Sequence, residues 1–393
     1  MANELGERAF THVYELATNI GPRPAGSAPE RAAFEYIAGQ LRAWGYAPAS
    51  TPAPFAPTPR FTPLFVSGGL ALALAGLALP NWPWLAWLAA PWIAALPDVA
   101  RVVIQRRPRT AASQNLTAYT AQPAEAPTLL LCAHVDSAPA SAFRSRGLVW
   151  LHQNLMFLAL RVAWVLAAVA ALAAVGLALP TPLLRAAGAL ALFTGGAWVV
   201  VESLAQLLRG ARYAPGAHDN ASGVGVLLAV AEHLAAHPPA RQRVGFAFTG
   251  AEETGMHGAE ALAAAAPPGQ RLAVLAVDMV GAGGTLNYVT QDGALRQRPT
   301  AQGLNDLVRA ADPAARGLVY ALRSGDVLPF LRHGLPASAL QTSGSSEAEL
   351  AYHTPYDTVD VVEIEALERT VQVVLKVIAL AEARGYPERA RSG

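Results

Sequence analysis

Along its polar and apolar positions the chain carries two different patterns. Residues 5–47 have the spacing of two helices. Ser27-Ala28-Pro29-Glu30 opens the second with a hydroxyl cap, a proline for the first turn and a glutamate that can reach back. Phe34, Ile37, Leu41 and Trp44 follow at helical spacing, and Gly45 ends the run. An edge strand is expected around 46–55, and Pro52, Pro54, Pro57, Pro59 and Pro63 mark 51–63 as a linker. Two apolar blocks then break the pattern. The first, 64–79 and 84–96, turns at Pro80-Asn81-Trp82-Pro83, and the second, 162–179 and 183–201, turns at Pro180-Thr181-Pro182. Outside them the chain predicts strands 115–120 and 128–135. Helix 222–236, strand 243–249, helix 255–265, strand 271–278 and a closing helix over 358–384 follow. Alternating strands and helices imply an α/β fold around a mostly parallel sheet.

A membrane-spanning helix needs about 20 apolar residues, with a lower limit near 17. The second block offers this twice. The first does so marginally, and its half over 84–96 is short and carries Pro91. No acidic residue interrupts the blocks before Asp98 or Glu202, and Trp82, Trp84, Trp87 and Trp92 suit a membrane–water boundary. Four spanning helices in two hairpins are therefore expected. Composition agrees: 53% of residues are hydrophobic and 15% charged, against about a quarter charged in soluble domains. A net charge of +1 gives no polyanion footprint, so nucleic acid is not an expected partner. The single cysteine, Cys132, excludes an internal disulfide. Residues 1–8 lack a basic stretch followed by an apolar one, so no cleavable signal peptide is expected. Arg60, Arg101, Arg106, Arg107, Arg109, Arg144, Arg146, Arg161, Arg209 and Arg212 flank the blocks on one side, against Arg185 at the tips. Basic flanks favour the cytoplasm, which predicts a multi-pass protein of a bacterial cytoplasmic membrane with its polar domain inside.

Candidate chemistry collects where elements end. His134 and Asp136 close an apolar strand at i and i+2 and so share a face, as a metal ligand and the carboxylate that fixes its tautomer would. Alone, a strand-end histidine is more often a satisfied core residue. Gly216-Ala217-His218-Asp219-Asn220-Ala221-Ser222-Gly223 leads into a helix. One turn needs only one cap, so Asp219 can reach into a cleft instead. Glu252-Glu253 follows a strand, and adjacent carboxylates can divide labour between metal and proton. Asp278 ends the buried run LAVLAV, where a lone charge is costly and a cation would partner it. Near the end, Asp357 or Thr358 caps the last helix and leaves His353 free. Two imidazoles and three carboxylates at one edge of a sheet can hold two divalent ions with one carboxylate shared. His218, His233, His237 and His257 read as bystanders.

The stretches GPRPAGS (21–27), LLLCAHVDS (129–137), GAHDNASG (216–223), FAFTGAEETGMHGAE (246–260), VDMVG (277–281) and YHTPYDTVD (352–360) together resemble the co-catalytic two-zinc aminopeptidases. That family also contains glutaminyl cyclases and the transferrin-receptor ectodomain. The resemblance implies a three-layer α/β zinc-peptidase fold with a mixed, mostly parallel central sheet. This domain would comprise residues 1–54, 110–137 and 213–393, interrupted by transmembrane hairpins with their linkers at 55–109 and 138–212. By resemblance Asp219 bridges two ions, most simply zinc. His134 and Asp278 complete one site, Glu253 and His353 the other; Glu252 is the general base and Asp136 orients His134. The implied reaction is hydrolysis of the N-terminal bond of a peptide or protein, with membrane lipid as a second partner. One departure concerns the pocket wall: similar enzymes often carry Ser-Asp-His where this chain reads Ser324-Gly325-Asp326-Val327. The rival readings are a glutaminyl-cyclase-like acyltransferase, a non-catalytic receptor of peptidase fold, and a transport protein. Finally, the second insert leaves directly after Asp136, and a 115–120/128–135 hairpin would bring residue 115 to the His134 end. Both inserts would then leave on the catalytic edge, which favours a membrane-associated substrate or one apolar at its N-terminus.

Overall fold

A computed structural model describes residues 3–57, 62–143, 145–175, 179–208, 212–267, 269–293, 296–320 and 324–384. In chain order its elements begin with α1 (Glu4–Tyr14), α2 (Ala28–Ala43), β1 (Ala49–Phe55), α3 (Thr62–Ala78) and α4 (Ala86–Arg106). Next come β2 (Ala111–Tyr119), β3 (Thr128–His134), α5 (Arg146–Ala174), α6 (Thr181–Leu208), α7 (Ser222–Ala236), β4 (Arg243–Thr249), α8 (His257–Ala265) and β5 (Leu272–Val277). The remainder are β6 (Thr285–Asp292), β7 (Arg298–Pro299), α9 (Gln302–Ala311), β8 (Arg316–Val319), α10 (Val327–Arg332), β9 (Ala337–Ser343), α11 (Ser346–Ala351) and α12 (Ile364–Arg384). They divide into two compact units. The first comprises Met1–Pro57, Arg107–Ala140 and Arg212–Gly393, and the second Thr58–Arg106 and Ser141–Ala211.

The first unit is built on a mixed sheet in the order β1-β2-β4-β3-β5-β9-β6-β7, with β8 beside β6. Its centre, β4-β3-β5-β9, is parallel. Period-2 alternation sets its two faces. Leu129, Leu131 and Ala133 of β3 pack into the core shared with α1, α2, α7 and α12, while Leu130 and Cys132 pack towards α8 and α10. The α2 start behaves as its sequence suggests, since the Ser27 side chain accepts the Glu30 N–H. A direct hairpin of 115–120 with 128–135 is not formed: β4 lies between β2 and β3, antiparallel to one and parallel to the other. A short turn signal cannot compete with a strand that pairs on both sides. The relative direction of β2 and β3 nevertheless holds, because Leu116 faces Phe248 while His134 faces Thr249. The proline-rich stretch is strand as far as Phe55, pairing with β2 only. Pro52 and Pro54 are tolerated because β1 is the sheet edge.

The second unit consists of α3, α4, α5 and α6. Among the described residues two helices are long and apolar enough to cross a membrane, Asn154–Ala174 with mean hydropathy 2.3 and Thr181–Leu208 with 1.6. The expectation of four such helices is therefore not met by the first hairpin: Pro63–Ala78 is apolar but shorter, and α4 carries Pro91, Pro97 and Asp98. Arg161 lies inside α5 rather than ahead of it, because that helix starts at Arg146. Arg60, Arg144 and Arg209 lie outside the described residues. Leu72, Ile93, Leu96, Leu155, Leu166 and Trp198 form this unit's own core. α3 meets α6 backbone to backbone, since a β-carbon on Gly69 would stand 2.8 Å from Gly195 O and one on Gly76 2.6 Å from Gly188 O.

Candidate metal centre

Three parallel strands deliver the first group of side chains to one sheet edge. β3 ends on His134, β4 runs into Gly250 and the Glu252-Glu253 turn, and β5 is followed by Asp278. Asp219 comes from the irregular turn Ala217–Ala221 ahead of α7. The capping there falls to Asn220, whose Oδ1 accepts the N–H of Gly223 (2.9 Å) and of Met279 (3.2 Å). The Asp219 carboxylate is thereby left for the cleft. Close packing holds this corner, because a β-carbon on Gly223 would collide with Val277 O.

All five expected ligands meet. His134 Nε2 lies 3.2 Å from Asp219 Oδ1 and 3.5 Å from Asp278 Oδ1. His353 Nε2 lies 3.2 Å from Asp219 Oδ2 and 3.3 Å from Glu253 Oε2. Each oxygen of Asp219 thus faces a different imidazole. Ligand atoms of His134, Asp219 and Glu253 fall within 4.8 Å of one another. Glu253 Oε1 and Asp278 Oδ1 are buried with no hydrogen-bond partner. Buried carboxylate oxygens without a hydrogen-bond donor, gathered around two imidazoles, are what a divalent cation would satisfy, so the donor set fits such an ion. Backbone strain gathers at the same place: Ala251, Met279 and His353 have φ of 57°, 51° and 54°, unusual for residues with a β-carbon.

Electrostatics follow the geometry. Burial opposes ionisation of Asp219, yet His134 and His353 overcome it and hold this carboxyl well below the usual range. Burial likewise opposes charge on His134, but Asp219 and Asp278 pull it well above an ordinary histidine. His353 is raised against burial in the same way by Glu253 and Asp219. Glu252 goes the other way: burial raises it well above the carboxylate range, and Glu253, Asp326 and Asp278 add to that against the pull of His134.

Asp136 is fully buried at the root of the site. His134 Nδ1 stands 3.1 Å from the Asp136 backbone carbonyl and 3.8 Å from its carboxylate. The carboxylate itself accepts the backbone N–H groups of Glu252 (3.0 Å) and Glu253 (3.1 Å), so it holds the turn that presents both glutamates. His218 is a buried neighbour rather than a ligand; its Nδ1 accepts the Gly281 N–H, and burial lowers its pKa.

Four residues near the site went unassigned or were assigned differently from sequence. Asp357 does not cap the last helix. It accepts the N–H of His218 (2.7 Å) and Asp219 (3.1 Å), tying the His353 loop to the Asp219 turn, and α12 starts only at Ile364. Glu30 accepts from Gly26 N and Ser113 Oγ, both at 2.6 Å, and burial with nearby Asp136 pushes its carboxyl up to about 7. Asp326 accepts the Thr249 hydroxyl at 2.5 Å and lines a small cavity with His134 and Asp278. Burial pushes it up to about 7. Arg23, in the GPRPAGS stretch, is buried outright.

A family described as Peptidase family M28 matches residues 202–378, a span that takes in Asp219, Glu252, Glu253, Asp278 and His353. No curated protein matches the sequence. Among solved structures the chain is similar to a zinc aminopeptidase from Bacillus subtilis, with 14% identity, TM-score 0.57 and coverage of 96% of this chain and 95% of that one. An aminopeptidase from Aneurinibacillus sp. strain AM-1 gives 17%, 0.56, 99% and 96%. A Porphyromonas gingivalis glutaminyl cyclase gives 16%, 0.56, 95% and 97%, so likeness of fold does not separate the two activities.

Proposed function

We propose that this chain, whose residues 202–378 match peptidase family M28, is a membrane-bound, two-metal aminopeptidase of that family. The observation that carries this reading is the Asp219 carboxylate, shared between a His134/Asp278 pair and a His353/Glu253 pair. Bound there, two divalent ions, most simply zinc, would acidify a water and polarise the scissile carbonyl. Glu252 takes the proton from that water and returns it to the leaving amine. Asp136 fixes the Glu252-Glu253 turn through two backbone N–H groups, so base and ligand are presented together. The complete second half of the site favours hydrolysis over glutaminyl cyclisation, for which a single metal is expected.

Metal content assayed beside turnover of aminoacyl-p-nitroanilides and of an N-terminal glutamine peptide tests this. Release of nitroaniline by protein carrying two ions is expected. Pyroglutamate as the sole product, or protein that binds no divalent ion, would overturn it.

We read all four helices of the second unit as membrane-embedded. Glycine-mediated contact of α3 with the spanning-length α6 is the packing that apolar surroundings favour, and it supports placing the shorter α3 beside α6. The remaining flanking arginines support a cytoplasmic peptidase unit. Digestion of that unit only from the outer face of sealed vesicles would reverse the orientation. Chain connectivity supports a membrane-associated substrate as well, because the second insert is spliced four residues after Asp136 and seven before Asp219. A lipid-anchored peptide should then be cleaved with higher kcat/KM than a soluble peptide of the same N-terminal sequence, and equal values would remove that refinement.

A further inference from the structure

Arg23 is 1% exposed and is the one charged residue among the largest fully buried side chains. Among the described residues its guanidinium bonds to no carboxylate. Nε donates to Val135 O at 2.8 Å, Nη1 to Leu16 O (2.7 Å), Gly21 O (2.9 Å) and Pro215 O (2.8 Å), and Nη2 to Gly216 O (2.9 Å). Its backbone N–H donates to Ser137 Oγ (2.9 Å), and its carbonyl accepts the Ser137 N–H (3.0 Å). Burying a cation is costly unless every donor is satisfied, and here backbone carbonyls satisfy it. Burial lowers its pKa to about 10, against the pull of Asp357, Asp136 and Asp219, so the charge is kept at neutral pH.

What the carbonyls belong to gives the arrangement its meaning. Val135 lies between His134 and Asp136, while Pro215 and Gly216 lead into Asp219. These two segments are also the roots of a stem, in which Ala140 N–H donates to Arg212 O and Ala214 N–H to Ala138 O. Residues 141–211 are spliced into that stem. Closing so long an excursion costs chain entropy, and it separates in sequence two segments that must meet within hydrogen-bonding distance at the metal centre. Only a planar fork with five donors can reach both roots at once; the single ammonium of lysine cannot.

We propose that Arg23 is a positioning residue of the metal centre, clasping the two roots of the insertion so that His134 and Asp219 stay in register. This rests on the metallopeptidase reading. Its test measures binding of Zn²⁺ and Co²⁺ to the full-length protein in detergent, by calorimetry and by Co²⁺ absorption, apart from any activity. Arg23→Met should weaken binding by about 10–100-fold, the usual effect of removing a group behind the ligands, with the circular dichroism spectrum preserved. Arg23→Lys should recover only part of the loss. Millimolar guanidinium should restore Co²⁺ binding to Arg23→Ala, which general destabilisation would not allow. A folded Arg23→Met with wild-type affinity, or a lowered melting temperature with unchanged affinity, would overturn the assignment. If Arg23→Met and Arg23→Ala do not fold, Arg23→Lys decides: it keeps the buried charge but not the planar fork, and wild-type affinity there overturns the clasp. Wild-type protein that binds no ion would instead sink the metallopeptidase reading and the clasp with it.

Discussion

The two units of this chain put large apolar side chains to opposite uses. Of the exposed large apolar side chains among the described residues, only Tyr14, Val319 and Tyr356 belong to the first unit. The second unit supplies all the others, including Leu74 (62% exposed), Phe193 (76%) and Leu207 (81%). Where its helices touch, glycine and alanine predominate. The first unit hides Phe246, Phe248 and Phe330 and arranges charge at one sheet edge. In water the inward pattern is driven by transfer of apolar area. The outward pattern, with small residues inside, is the solution for a solvent as apolar as leucine. The proposal that lipid surrounds the second unit and water the first accounts for the difference, and substitutions can test it.

The largest effects should come from the first unit and leave the second untouched. Glu252→Gln is expected to keep both ions while turnover falls by about 10²–10⁴-fold, because only proton transfer is removed. Asp219→Ala should lose the ions themselves, as it removes the shared ligand. Neither should change extraction of the protein from membranes. Turnover at the wild-type rate in Glu252→Gln would show that the base lies elsewhere, and two tightly held ions in Asp219→Ala would exclude the bridge.

The places of these residues, though not their roles, were legible because strand and helix ends carry local signals. An apolar run closing on His134 or Asp278, or a turn with more polar residues than it needs for capping at Asp219, can be seen without a partner. Long-range pairing cannot. Nothing local shows that β4 separates β2 from β3, since register depends on strands far apart in sequence. Arg23 and Asp357 act on backbone groups more than a hundred residues away, so the GPRPAGS and YHTPYDT stretches gave their place but not their work. The first hairpin was the least legible part, because apolar composition does not measure helix length, and α4 changes character at Pro97-Asp98.

An intermediate effect should separate the two media directly. Phe193 lies near the middle of α6 and is 76% exposed. If lipid surrounds it, Phe193→Arg should cost about 2.5–3.5 kcal/mol of insertion energy, seen as lost membrane integration. Val319→Arg, at an exposed position of the first unit, should stay within about 0.5 kcal/mol. Equal, small effects at both positions would mean that water covers both units. Packing inside the second unit offers a slightly smaller test. Gly76→Ala puts a methyl group 2.6 Å from Gly188 O, and the clash should cost about 1–3 kcal/mol of helix association without altering metal affinity.

The smallest effect returns to the charged edge of the first unit, which has no apolar counterpart. His134 and His353 are both raised well above an ordinary histidine by the carboxylates around them. A metal ligand must be the neutral imidazole, so protons and cations compete for the same nitrogens. The sign follows: because the raised pKa favours the protonated ring, lowering the pH strengthens the competitor and weakens metal binding, and raising it relieves the competition. Affinity should rise with pH across the neutral range, by about tenfold per pH unit for each proton displaced, or about 1.4 kcal/mol. Calorimetry in buffers of different ionisation enthalpy would count those protons. His353→Gln, which keeps a polar side chain but cannot be protonated, should lower the count. An affinity flat between pH 6 and pH 8 would mean that the imidazoles do not face the ions, whatever their distance from Asp219.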